Sequence, residues 1–383
     1  MKNMKQKNEY LKIIRVVDEI IENGKIDDHI LKLVKDPNIE EYFFKKVSKL
    51  KWFSFFKNKS FFDPKNAPNF KINKEGNHYF PIWNILYYLE KISLNLIIPK
   101  DEKYIDDIID IIEKVSKFVD AEGKKLDNFR TWWYFIKILN NLPEEKIQTD
   151  IIDLIPIWLD SIFDNTLQVS EITKKSLPKF LNEDSSEEDI KKTEKIIKYI
   201  TEIKRVDVSK IDKKYFNIKK RYKFKVDIYW LKEYFQQNAK LIARKCSDKV
   251  IKDFENKIID TLDKPEDQSF RSIYEERSIS EPFDLLCEAL KNILKERSQQ
   301  KSKEIEGILE SYLNCEFYLF HKIALYVTGQ NIDKFNDFIW GNIDLIIGDS
   351  YKRQILVGDE LKRLLNNLKN LNAKNRDKLN RII

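Results

Sequence analysis

The sequence predicts an all-α chain arranged as a HEAT- or armadillo-like α-solenoid of antiparallel helical pairs, with a small β-strand or hairpin inserted near 205–228. Three observations carry that expectation. Apolar residues recur at intervals of three and four along almost the whole chain, the period of a helix with one buried stripe. Only eight Gly and ten Pro punctuate 383 residues, whereas sandwiches and barrels need a turn roughly every 8–12 residues. Two helices with their turns take about forty residues, the spacing of HEAT-type pairs, and the chain exceeds the size at which one core stops growing.

The elements follow in order. MKNMKQKNEYLKIIRVVDEII has a polar start and an amphipathic helix over 8–23. It lacks the apolar region of a signal peptide. No apolar run reaches the roughly 18 residues of a membrane span, so a cytoplasmic protein without membrane contact is expected. WFSFFKNKSFFDPKNAP (52–68) begins at helical spacing and becomes a Pro-punctuated connection to a helix over 83–97. Its rings, Trp52, Phe55, Phe56, Phe61 and Phe62, together with Trp83, read as an aromatic corner that pins the connection against neighbouring helices. Base stacking is the sharper alternative, because lysines interleave the rings.

In YIDDIIDIIEKVSKFV the apolar positions 105, 108, 109, 112, 115 and 119 form one stripe. FRTWWYFIKILNNLP (129–143) ends at a proline, and EEKIQTDIIDLIPIWLDSIF follows with glutamates in its first turn, where they suit the helix dipole. Further helices are expected over 168–181, 187–203, 229–245, 247–262, 282–297, 301–313, 315–328, 331–347 and 359–371. The acidic turn NEDSSEED (182–189) opens one of them and Ser247 caps another. RYKFKVDIYW (221–230) breaks the rule. Tyr222, Phe224, Val226 and Ile228 alternate with Arg221, Lys223, Lys225 and Asp227, the period of a strand. The organisation expected is a helical block over 1–203, a basic insertion over 204–228 and a second helical block over 229–383.

The net charge of +7 is unevenly spread. Residues 204–225 hold ten Lys/Arg against Asp207 and Asp212, and residues 43–74 hold nine Lys against Asp63. Each island therefore carries +8, and the rest of the chain −9. Within the first, Lys213, Lys214, Lys219, Lys220, Arg221, Lys223 and Lys225 are the candidate polyanion-binding residues, suited to phosphates or an acidic protein partner. The plainer reading is a strand edge guarded by lysines.

Chemistry is thinly represented. Cys246, Cys287 and Cys315 stand far apart, in no zinc spacing, each within an apolar helical pattern; buried thiols of a reducing compartment are expected. His29, His78 and His321 have no helically spaced His or Cys companion. No phosphate-binding glycine loop, GxSxG elbow or HExxH occurs. DDIID (106–110) has the form of a diphosphate–magnesium motif of all-α isoprenoid synthases, but the best second metal motif, NDFIWGNID (336–344), places Trp340 where a small hydroxyl belongs. The plainer reading of DDIID is a solvated acidic face. Neither catalysis nor a cofactor or metal is expected.

KWFSFFKNKSFFDPKNAP, YFPIWNILYYLEKIS, RTWWYFIKILNNLP, PIWLDSIFDN and SLPKFL resemble the helical-repeat regions of large bacterial multidomain proteins linked to NTPases or nucleases, of the antiphage-defence type. SFRSIYEERS (269–278), FDLLCEALKNIL and HKIALYV are similar to a later repeat there. Phe270-Arg271 keeps part of its Trp-Arg start, while Glu275-Glu276-Arg277 lacks the His of its acidic-His-Glu core. The resemblance covers most of the chain, rests on packing residues and transfers no catalytic residue. It implies a non-catalytic scaffold or sensor arm holding a protein partner in a larger prokaryotic assembly. A nucleic-acid-binding helical-repeat protein using 204–225 is the alternative.

Overall fold

Helix follows helix from Lys2 onward in a computed structural model that describes residues 2–24, 29–161, 163, 165–205, 222–262, 282–347 and 350–368. The chain is mostly helical, and among the described residues β-structure amounts to two short two-stranded sheets. It divides into two compact units, Met1–Phe180 and Leu181–Ile383. Among the described residues no helix is long and apolar enough to cross a membrane.

Unit 1 runs α1 (Lys2–Asn23), α2 (His29–Leu33), α3 (Pro37–Lys46), α4 (Trp52–Asn58), the hairpin β1 (Lys71–Ile72) and β2 (His78–Tyr79), then α5 (Ile85–Ser93), α6 (Glu102–Ser116) and α7 (Phe129–Asn141). It closes with α8 (Thr149–Ile152), α9 (Ile155–Leu159), α10 (Thr166–Glu171), a π segment (Ile172–Ser176) and α11 (Leu177–Phe180). Asp36 and Asn128 cap α3 and α7 by accepting a backbone N–H two residues on. Alternate helices lie side by side in the same sense. Asn84 of α5 meets Glu40 of α3 and Tyr87 meets Lys45; Tyr87 meets Tyr134 of α7 and Asn141 meets Ser93. On the other layer Phe53 and Lys57 of α4 meet Tyr104 and Asp107 of α6.

Several expected elements differ in detail, each for a local reason. The connection after α4 contains β1–β2, whose turn is set by the Asn73 side chain accepting from Glu75 and Asn77 N–H groups and by Gly76 at φ +83°. The helix expected over 168–181 is interrupted by the π segment. Pro178 has no N–H for the carbonyl four residues back and crowds it, and the wider turn relieves this. The apolar stripe of α6 stops at Val115: the helix ends at Ser116, and Val119 is exposed and bridged to Lys125.

One buried side chain fixes the long connection. Asn128 is fully buried, and its amide donates to the carbonyls of Pro68 (2.7 Å) and Pro81 (2.8 Å) while its Oδ1 accepts from Arg130 N. Asn128→Ala removes a helix cap and leaves two carbonyls without this donor. We expect a loss of about 2–3 kcal/mol in urea unfolding, and an unchanged midpoint would show that the connection holds itself in place.

Unit 2 comprises α12 (Glu187–Ile200), the hairpin β3 (Ile203–Arg205) and β4 (Tyr222–Phe224), α13 (Ile228–Lys245), α14 (Asp248–Thr261), α15 (Pro282–Gln300), α16 (Ser302–Asn314), α17 (Tyr318–Gln330), α18 (Ile332–Gly341), α19 (Ile343–Ile347) and α20 (Ser350–Asn367). A capping box of Ser186 and Asp189 starts α12, and Ser247 caps α14 as expected. The expected helix 331–347 is split at Asn342, whose side chain bonds back to the Phe338 carbonyl. The strand is shorter than its alternating pattern. It ends at Phe224, because Asp227 accepts from Tyr229 N and starts α13 at Ile228, one residue ahead of the expected helix. The same-sense stacking recurs: Glu194 and Thr201 of α12 meet Ser247 and Lys257 at either end of α14, and Lys291 and Ser298 of α15 meet Tyr326 of α17 and Asn331 just beyond it.

Candidate functional site

The aromatic corner is built by α3, α4 and α5. Trp52 and Phe56 are fully buried, Phe62 and Trp83 are buried, and Phe55 and Phe61 are half-buried. Phe43, Phe44, Trp52, Phe56, Phe61 and Tyr88 form one cluster, mostly edge-to-face, with centroids 4.9–6.0 Å apart. Phe62 turns away from that cluster to Phe53, which in turn meets Tyr104.

Of the basic island, Lys213, Lys214, Lys219, Lys220 and Arg221 lie outside the described residues. Lys223 is exposed on β4, directly opposite Lys204 of β3, a like-charge pair that costs stability unless an anion shares it. Arg205 is exposed beside it. Lys225 is diverted: its ammonium pairs with Glu202 at 2.9 Å.

A larger basic feature adjoins this hairpin. Lys191, Lys195 and Lys198 project from α12 and Lys249 and Lys252 from α14, lining a groove of about 500 Å³ together with Glu194, Asp253 and Asn256. Five ammonium groups against two carboxylates leave the lining at +3. Lys191 leans on Glu188 (3.7 Å) and Lys252 on Glu255 (3.1 Å), while Lys198 and Lys249 form no ion pair among the described residues. Lys257 sets the register. Its ammonium donates to the Lys198 carbonyl (2.9 Å), to Thr201 Oγ1 (2.7 Å) and to Asp253 (2.5 Å), capping the end of α12 where the chain turns into β3. Burial holds this amine below the usual lysine range, against the opposing pull of Asp253. The spacing 191/195/198 and 249/252/256 is a helical stripe visible in the sequence, but only the packing of α12 on α14 makes the two stripes one groove.

The other motifs are occupied structurally. Asp106 pairs with Lys146 (3.1 Å), Asp107 with Lys57 (2.7 Å) and Asp110 with Lys114 (2.7 Å), so the three carboxylates of DDIID point to three different lysines. In NDFIWGNID, Trp340 Nε1 donates to Asn336 within α18. His321 is buried with Nε2 2.7 Å from the Cys315 carbonyl, and His78 lies against Phe70 and Phe80. Cys246 and Cys315 sit just past the ends of α13 and α16, not within a helix, and Cys287 lies inside α15. Burial pushes the Cys246 thiol up to about 12. Among the described residues no group of three His, Cys, Asp or Glu is placed to hold a metal ion. Phe270, Arg271, Glu275, Glu276 and Arg277 lie outside the described residues. Comparison of the chain with protein-family models, with curated proteins and with solved structures finds no match in any of the three.

Proposed function

We propose that the chain is a non-catalytic helical-repeat scaffold of the HEAT-like solenoid type, working in the cytoplasm of a prokaryote within a larger, defence-type assembly, and that unit 2 binds nucleic acid. The same-sense stacking of alternate helices supports the repeat architecture. The nucleic-acid reading is carried by one observation: the lysine-lined groove between α12 and α14 runs towards a hairpin that exposes Lys204, Arg205 and Lys223. Phosphates would lie along the groove and between the opposed Lys204 and Lys223, where each contact neutralises an ammonium and releases a counterion. Glu194 and Asp253 are held by the Ser247 N–H and by Lys257, which leaves the lysines as the cationic side of the groove.

The test is anisotropy of labelled 20-nucleotide single strands and 20-base-pair duplexes across a salt series, for wild type and for Lys198→Glu/Lys204→Glu/Lys223→Glu/Lys249→Glu. All four side chains are exposed, so folding stability should move by little. Wild-type affinity should fall steeply with salt, and the variant should lose about one unit of the log–log slope for each phosphate contact removed. Salt-independent or absent binding in the wild type would end the reading, as would a variant with an unchanged slope.

A further inference from the structure

The groove of unit 2 has two kinds of polar lining, and they lie at different depths. Ile197 and Val250 are buried at its floor. The carboxylates of Glu194 and Asp253 lie in the seam between α12 and α14, because each is tied across it. Glu194 Oε1 accepts from the Ser247 N–H at the start of α14 (2.6 Å). Asp253 Oδ2 accepts from Lys257 (2.5 Å), which also donates to the Lys198 carbonyl on α12. One oxygen of each carboxylate is thereby used, and the other has no hydrogen-bond partner among the described residues. The ammonium groups stand higher. Lys198 and Lys249, which form no ion pair among the described residues, are exposed on opposite rims. Along the α12 rim, Lys191, Lys195 and Lys198 follow one another at about 6 and 4.5 Å of helix axis, so that one rim tracks one backbone.

Resting on the nucleic-acid reading of this groove, we propose that the ligand is an unpaired strand. Its phosphates stay on the rim lysines, and its bases turn into the seam and donate exocyclic amines to Glu194 and Asp253. Depth decides this orientation. A phosphate at the level of the seam meets two carboxylates and is repelled, whereas on the rim it meets ammonium groups. A base has the opposite preference. The N4 amine of cytosine and the N6 amine of adenine are donors, and a carboxylate oxygen is an acceptor that fits them. Ile197, Val250 and the methylene stems of the lysines give the base apolar walls. A duplex cannot bind in this way. Its base edges are reached only by an element that protrudes into one of its grooves, and the seam between two helices is concave. Helices packed side by side have axes about 8–10 Å apart, less than the roughly 12 Å width of the major groove alone. A duplex therefore rests on the rim and leaves both carboxylates without a donor.

The probes are three labelled ligands followed by anisotropy on the full chain: a 20-nucleotide strand of alternating dC and dA, oligo-dT of the same length, and a 20-base-pair duplex. The variant is Glu194→Gln, which keeps an acceptor for the Ser247 N–H and removes both the charge and the second acceptor. Wild type should bind the dC/dA strand about tenfold more tightly than the duplex. Glu194→Gln should bind the dC/dA strand about tenfold more weakly than wild type does. Oligo-dT has no exocyclic amine, and its affinity should stay unchanged or rise. A groove that senses charge alone gives the opposite sign, since loss of a carboxylate strengthens the binding of every polyanion. Duplex affinity equal to that of the dC/dA strand overturns the inference, and this comparison on wild type does not depend on how the variant folds. So does a Glu194→Gln variant, folded by circular dichroism, that binds the dC/dA strand as tightly as wild type. Either result leaves the nucleic-acid reading standing, whereas absence of salt-dependent binding to all three probes removes both.

Discussion

Arg297→Met should unfold at a much lower urea concentration than wild type, with a loss of about 3–4 kcal/mol. Arg297 is 5% exposed on α15, yet it is the hydrogen-bond donor for the end of α13. Its Nε donates to the Ala243 carbonyl (3.1 Å) and one terminal nitrogen to the Cys246 carbonyl (2.7 Å); the other reaches Asp248 at the start of α14. One guanidinium thus ties α15 to the turn between α13 and α14, using the fork of donors that lysine lacks. Methionine keeps the apolar stem and removes every donor. Two buried carbonyls are then stranded, each costing about 1–3 kcal/mol. Arg297→Lys should recover only part of the loss. Asp248 is 77% exposed, so Asp248→Asn should cost no more than about 1 kcal/mol despite removing the ion pair. Equal losses in Arg297→Met and Asp248→Asn would mean that the charge pair, and not the carbonyl caps, holds the turn.

Arg297 illustrates what the sequence could and could not reveal. The helix bearing it was legible from the apolar period of FDLLCEALKNIL, as were α6, α7, α12, α13 and α14, because a stripe at three and four is a local property of the chain. The partner carbonyls lie about fifty residues earlier and are joined by packing alone. The same limit hid β1–β2: two residues per strand carry no periodicity, and the hairpin is held by the Asn73 turn and by the neighbouring segment pinned through Asn128. Pro178 was a visible breaker, but its consequence, a π turn and not a helix end, depends on α10 and the π segment packing on α7 and on Lys179 of α11 donating to the Leu139 and Asn140 carbonyls.

The candidate site divides in the same way. Period two marked the strand over Tyr222–Phe224, and Asp227 ended it sooner than the alternation implied, since a cap competes with strand pairing for the same residues. The lysines of α12 read singly as a solvated face. They become a groove because Lys257 and Ser247, both from the next helical pair, fix α14 against α12. In DDIID the reverse holds. A motif that reads as metal-binding in isolation is drawn into ion pairs with α4, with its own helix and with the turn before α8.

Trp52→Ala should be among the most damaging single changes in unit 1, at about 3–5 kcal/mol, because the ring is fully buried among Phe43, Phe55 and Phe56. Trp52→Phe separates volume from polarity. Among the described residues the buried Trp52 Nε1 has no hydrogen-bond partner, so the native residue already bears a desolvation cost of about 1–3 kcal/mol that phenylalanine escapes. The smaller ring leaves a gap that opposes this gain, and the net change should stay within about 1.5 kcal/mol. Phe61→Ala, at a half-buried position on the edge of the cluster, should cost less than Trp52→Ala. Chemical unfolding monitored by far-ultraviolet circular dichroism gives all three values. If the corner served to stack bases, the order would invert: Trp52→Ala would remain stable and lose affinity for single strands, and Trp52→Phe would retain both. Burial decides between the two, since a ring with no accessible surface has no face to offer a base.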